Sequence, residues 1–205
     1  MNPGISITVE GVDGVGKSTA IAALRRRLWW AGHVVSLCPY PGARLRRDLA
    51  LEKAGGLDHT WQELALRHVA EMLAHRPGED QHQVNGGIVL RDRYSLSTLV
   101  YQGEVDDSRG QWLSSLVSAV NPSTITLVLD APDEVREARI LAREGHGGDT
   151  GKAERLGMLA LEYRFLVDSG RYPGAVLVDA SGTREETLER CWAHVEPLLG
   201  GGAAQ

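Results

Sequence analysis

Short runs of branched apolar residues recur along this chain, separated by longer stretches in which apolar positions fall three or four residues apart. Ile5-Ser6-Ile7-Thr8-Val9 alternates apolar with hydroxylated residues, the period of a strand. His33 to Leu37, Ile88-Val89-Leu90, Thr124 to Asp130 and Ala175 to Asp179 are further strand-like runs. Between them the pattern predicts helices: one beginning at Thr19 and stopped by Gly32, then a short one carrying Arg44, Arg46 and Arg47. The next runs from Trp61 to about His75, with Thr60 and Glu63 spaced as a capping box and Arg76-Pro77-Gly78 as its predicted end. Gln111 to Val120, Asp133 to about Arg143, Ala153 to Ser169 and Thr183 to Leu199 complete the set. Strands alternating with helices predict an α/β fold, a parallel sheet with helices on both faces. In such sheets ligands collect beyond the carboxyl ends of the strands, which places Asp13, Asp92, Arg93 and Asp130 at one edge.

Between the first strand and the first helix stands Gly11-Val12-Asp13-Gly14-Val15-Gly16-Lys17-Ser18, followed by Thr19. Strand, G-x-x-x-x-G-K-S and helix together make a phosphate-binding loop. Its glycines let successive backbone N–H groups point into one concavity at the positive end of a helix. Lys17 supplies a full charge for the outer phosphates, and the Ser18 hydroxyl is a ligand for Mg2+. A nucleoside triphosphate is the expected ligand.

Composition narrows the partners. The 205 residues suit one domain, expected over 1–199, with the glycine-rich 200–205 as a frayed tail. A net charge of -5 argues against nucleic-acid polymers and anionic membranes, which favour a basic face. Cys38 and Cys191 form no disulfide or zinc framework, and neither a signal-peptide pattern nor a membrane-length apolar run is present. The expected compartment is a reducing cytoplasm.

Two further clusters carry chemistry. At the end of the central strand, Asp92-Arg93 pairs an acid able to hold Mg2+ with a cation able to clamp phosphates. The same two residues also read as a buried pair tying loops together. The glycine-rich 145–151 is flanked by Arg139 and Arg143 before it and by Lys152 and Arg155 after it. A mobile loop so flanked can close over a triphosphate and stabilise the moving charge, and it also reads as a plain surface loop. The guanine-reading Asn-Lys-x-Asp signature is absent, which disfavours a GTPase.

Val9-Glu10-Gly11-Val12-Asp13-Gly14-Val15-Gly16-Lys17-Ser18-Thr19, Asp92-Arg93-Tyr94 with Ser97 and Tyr101-Gln102-Gly103, Leu129-Asp130-Ala131-Pro132 and Val178-Asp179-Ala180-Ser181 together resemble the thymidylate kinases, a family of nucleoside-monophosphate kinases. The resemblance implies a P-loop NTPase fold with a five-stranded parallel sheet and a short LID near 143–155. It also implies a homodimer and Mg2+-dependent transfer of the ATP γ-phosphate to a deoxythymidylate-like acceptor. Carried over, Gly11, Gly14, Val15, Gly16, Lys17, Ser18 and Thr19 hold the ATP phosphates, Ser18 and Asp92 the metal. Asp13 contacts the acceptor's sugar or phosphate side, Arg93 grips its phosphate, and Thr98 and Tyr101 lie near it. With no base at positions 13 to 15, the transition-state cation is expected from the LID, from Arg143 or Arg155, with Arg139 near adenine.

The chain departs from that pattern in three places. Pro39-Tyr40-Pro41-Gly42-Ala43 stands where the family writes Arg-Glu-Pro-Gly-Gly, and a glycine-rich run replaces the LID's Asp-Arg pair. Counting back from Asp92 without a gap, the base-pocket phenylalanine and arginine fall at Arg67 and Glu71. Those two and Tyr40 therefore become candidate acceptor contacts, with one insertion bringing Arg76 in instead. The acceptor stays open between thymidylate, a modified pyrimidine nucleotide and another small phosphorylated molecule. A nucleotide-binding protein without kinase activity is the reading from outside the enzymes.

Overall fold

The structure, a computed structural model, describes residues 4–56, 59–103, 108–144 and 150–200. Its strands are β1 (Ser6–Glu10), β2 (Val35–Pro39), β3 (Ile88–Asp92), β4 (Ile125–Asp130) and β5 (Ala175–Asp179). They form one parallel sheet in the order β2-β3-β1-β4-β5. The helices are α1 (Lys17–Trp30), α2 (Ala43–Lys53), α3 (Trp61–Val84), α4 (Ser95–Gln102), α5 (Ser108–Val117), α6 (Asp133–Glu144), α7 (Thr150–Asp168) and α8 (Arg184–Leu199). β1 is buried along its whole length, as a central strand covered on both faces must be. Its register against β3 sets Val9 opposite Asp92, so the phosphate loop leaves the sheet beside the Asp92-Arg93 corner. Asp13, Asp92 and Arg93 of the expected carboxyl-edge cluster thereby meet, whereas Asp130 at the end of β4 pairs with Arg164 of α7 at 2.7 Å. None of the described helices is long and apolar enough to cross a membrane.

Two helices differ from the expectation. The capping box of Thr60 and Glu63 starts α3 as predicted, but the helix continues through Pro77 to Val84. A proline there forfeits the bond to the carbonyl of Leu73. Leu73 is partly open to solvent, so water can take that carbonyl, and the segment beyond Pro77 is pinned by side chains. Glu79, two residues on, is buried and receives Arg91 Nη2 at 2.6 Å and the Tyr40 hydroxyl at 2.8 Å. Arg91 Nη1 donates to Ser123 Oγ at 2.9 Å, and the guanidinium covers the Tyr94 ring at 4.1 Å. Burial opposes the charge on Glu79, yet the hydrogen bonds and charge of Arg91 hold its carboxyl below the usual range. α4, which the hydrophobic pattern did not single out, is the second difference. It is buried from Ser95 to Val100 and so lacks the polar face by which a surface helix is recognised.

Removing Glu79 leaves Arg91 charged and buried without its partner. Glu79→Ala is expected to cost about 3–5 kcal/mol of folding stability, read as a lower urea midpoint.

Candidate active site

The phosphate loop bends through left-handed backbone at Gly11, Gly14 and Gly16, with φ of 128°, 87° and 100°. A Cβ on Gly11 would sit 2.5 Å from the Leu129 carbonyl oxygen, so only glycine lets the loop pass β4 that closely. Gly16 lies at the N-terminus of α1 and leads into Lys17, whose Nζ donates to the Val12 carbonyl at 2.8 Å and stands 3.7 Å from Asp13 Oδ1. Burial lowers the Lys17 ammonium to about 8; Arg93 pushes the same way, against Asp13 and Asp92. A polyphosphate would supply the negative charge this buried cation lacks, and the left-handed glycines shape the concavity for it. Ser18 and Thr19 are exposed at the start of α1. Among the described residues no three acidic, histidine or cysteine side chains gather as a metal cage. Such a site suits Mg2+ carried largely by phosphates and water, for which Ser18 and Asp92 are the candidate protein ligands.

Arg93 turns the chain out of β3 with φ 65°, in the left-handed region that a non-glycine residue rarely occupies. Its guanidinium repays the strain. Nη1 donates to the Gly11 carbonyl at 3.0 Å and Ser97 Oγ at 3.2 Å, while Nη2 donates to Asp13 Oδ1 at 2.8 Å. The same group lies 5.1 Å from the Tyr101 ring. Tyr101 Oη is buried and has no hydrogen-bond partner among the described residues. Behind them sits Glu10, wholly buried, accepting the Tyr94 N–H at 2.8 Å, the Ser97 N–H at 3.0 Å, the Ser97 hydroxyl and the Tyr163 hydroxyl at 3.1 Å. Burial pushes the Glu10 carboxyl up, and the Ser97 hydrogen bond pulls it down.

A cavity of about 380 Å³ opens beside this corner. Asp13 lines it from the phosphate loop, Arg93 and Tyr94 from the corner after β3, Ser97, Thr98, Tyr101 and Gln102 from α4, and Tyr40 and Pro41 from the turn after β2. Leu49 of α2, His68 and Met72 of α3, and Arg155, Leu156 and Leu159 of α7 complete the lining. Expected acceptor residues Asp13, Tyr40, Arg93, Thr98 and Tyr101 therefore converge, with Asp92 adjacent in the chain. Arg155 joins them. Arg139 lies on the donor side, where its guanidinium donates to the carbonyls of Val15 at 3.3 Å, Ala180 at 2.8 Å and Gly182 at 2.9 Å. It straps the phosphate loop to the turn before α8, beside a second cavity lined by Ser18, Thr19, Arg26 and Arg184. Arg143 is exposed at the end of α6. Of the expected LID, residues 145–149 lie outside the described residues.

Arg67 and Glu71 are not brought in. Arg67 Nη1 pairs with Asp48 of α2 at 3.1 Å, and Glu71 accepts the Gly42 N–H at 2.8 Å, placing its charge at the N-terminus of α2. A Cβ on Gly42 would stand 2.7 Å from Glu71 Oε1, so this contact relies on glycine. The α3 residues facing the cavity are His68 and Met72, one position further along. The signal was available in the buried stripe Ala65, Val69, Met72. At about 100° per residue, His68 falls within roughly 60° of Ala65, while Arg67 falls on the far side of the helix. Ungapped counting thus falls one residue short of the positions that line the cavity.

A phosphate loop beside an arginine-guarded cavity at the carboxyl edge of a parallel sheet defines a P-loop phosphotransferase. The family model described as Thymidylate kinase matches residues 9–168. A thymidylate kinase from Cereibacter sphaeroides is 31% identical over 217 residues, 96% of this chain and 96% of that protein. One from Syntrophotalea carbinolica is 32% identical over 91% of this chain and 92% of its own length. A probable thymidylate kinase from Pyrobaculum aerophilum is 32% identical over 88% and 90%. The chain belongs to the thymidylate kinase family.

Burial lowers the His68 imidazole to about 4, so it stays neutral in the folded protein while an unfolded chain protonates it near about 6.5. The unfolded state then binds the extra proton between those values, and stability falls as pH drops from about 6.5 towards about 4. His68→Gln is expected to lose less stability than the parent between pH 7 and pH 5, measured by urea denaturation at each pH.

Proposed function

We propose that this protein transfers the γ-phosphate of ATP to the 5′-phosphate of a thymidylate-like pyrimidine nucleotide, giving the diphosphate and ADP. The observation that carries this reading is the meeting, at one corner, of a phosphate loop with its buried Lys17 and a cavity guarded by Arg93. ATP binding alone needs neither Arg93 nor the cavity behind it. Lys17 and the loop N–H groups hold the donor phosphates. Arg93, oriented by Asp13 and the Gly11 carbonyl, holds the acceptor phosphate so that one of its oxygens attacks the γ-phosphorus in line while the bond to the bridging oxygen breaks. Ser18 and Asp92 would hold Mg2+, which would supply neutralising charge for the donor phosphates. Arg155, lining the cavity from the α7 side, and Arg143, at the end of α6, are the cations for the moving phosphoryl group. Apolar Leu156 and Leu159 help to keep water from the transfer. A cytoplasmic homodimer, as the resemblance implies, is part of the same proposal.

Lys17→Ala is expected to lower turnover by roughly two orders of magnitude or more in a coupled ADP assay, with an unchanged far-UV circular dichroism spectrum. Arg93→Ala is expected to raise the acceptor KM by about tenfold or more and the ATP KM far less. Equal losses for both ligands would remove Arg93 from the acceptor side.

A further inference from the structure

Of the polar side chains that α3 and α4 present to the acceptor cavity, Ser97 is spent on Glu10 and Tyr101 lies against the Arg93 guanidinium; His68, Thr98 and Gln102 remain, with Met72 beside His68 and Leu49 of the neighbouring α2. α3 packs against α4, which brings the three to one region. None of them makes a side-chain hydrogen bond among the described residues, so their polar atoms are unspent on the protein and open to a ligand. They share one chemical property. A neutral imidazole carries one donor and one acceptor and exchanges them by changing tautomer. A threonine hydroxyl rotates between the two roles, and a glutamine amide turns over. Neither α3 nor α4 presents to the cavity a fixed donor such as arginine or a fixed acceptor such as a carboxylate. Arg67 and Glu71, the charged residues of α3 nearest in sequence, are spent on Asp48 and Gly42.

Resting on the acceptor-cavity reading above, in which this region seats the pyrimidine as the family resemblance implies, we propose that the seat takes an amino-pyrimidine as well as an oxo-pyrimidine, with His68 as the residue that adapts to either. An oxo-pyrimidine presents a ring N–H with a carbonyl beside it. An amino-pyrimidine presents a ring lone pair with an NH2 beside it. His68 accepts from the first and donates to the second. A charged, donor-only side chain in its place would favour the carbonyl pattern and leave the amino group facing a like donor. The burial that keeps His68 uncharged preserves its acceptor end at neutral pH. The sulfur and methylenes of Met72 supply an adaptable apolar contact for rings of differing substitution.

Equilibrium titrations of dTMP and dCMP, with ATP as a separate titrant, test this on the whole protein and on His68→Phe, His68→Asn and His68→Arg. The parent is expected to bind dTMP and dCMP within about tenfold of each other. His68→Phe keeps a flat ring without hydrogen bonds and is expected to weaken both by about tenfold. His68→Asn, which retains a donor and an acceptor, is expected to recover much of that loss. His68→Arg is expected to shift the ratio towards dTMP by tenfold or more. ATP affinity, unchanged throughout, shows that each variant is folded. A parent preference above about a hundredfold, failure to bind either nucleotide, or unaltered binding by His68→Phe would overturn the proposal. Turnover is measured in parallel. Binding of both nucleotides without ADP formation would overturn the kinase reading while leaving the shared base seat intact.

Discussion

One buried carboxylate joins the two halves of the site. Glu10 ends β1, immediately before the phosphate loop, and accepts the backbone N–H groups of Tyr94 and Ser97 at the start of α4. α4 has no side-chain cap of its own, so the negative charge that its N-terminus favours is lent by the neighbouring strand. The Tyr163 hydroxyl reaches the same carboxylate from α7. Three elements are thereby referred to one point: the loop that holds the donor, the helix that lines the acceptor cavity, and the helix carrying Arg155. A buried acid costs solvation free energy, and here four donors satisfy it.

A second buried charge performs a similar task at the other end of the cavity. Arg91 occupies β3 where an uncharged residue would avoid desolvation, and Glu79 answers it from α3. Through the Tyr40 hydroxyl this pair also fixes the turn after β2, and through Ser123 it reaches the loop before β4. The turn that departs most from the family pattern is therefore held by a bonding network and not by packing alone. Its far side is closed by Glu71 on Gly42. The cavity walls are set by ionic and polar contacts whose partners lie on different elements.

This explains which parts of the molecule are legible in the sequence. The sheet, the phosphate loop and the Asp92-Arg93 corner depend on local patterns, and the strands, capping boxes and glycines announce them. β5 and the capped start of α8 fall where the pattern puts them. The acceptor cavity depends on which face of α3 is buried, and that face carries Ala65, Val69 and Met72 together with Glu79, paired to Arg91 twelve residues on. Pro77 reads locally as a helix breaker, yet tertiary contacts beyond it keep the helix continuous. Arg67 and Glu71 follow from ungapped counting against the family pattern, whereas His68 and Met72 are found by the buried stripe of α3. α4 is hidden for the opposite reason, since a helix buried on nearly all sides loses its period.

The strand order has a consequence for how the chain reaches this structure. β1 is made first but lies in the middle of the sheet, with neighbours β3 and β4 whose partner residues begin at Val89 and Ile125. During synthesis β1 waits, apolar and unpaired, until β3 has followed it, and it gains its second neighbour only after β4 at Ile125–Asp130 is made. The phosphate loop, rigid in the finished molecule, is assembled late, and non-local pairings of this kind slow folding. The segment most legible in the sequence is thus among the last to acquire its shape.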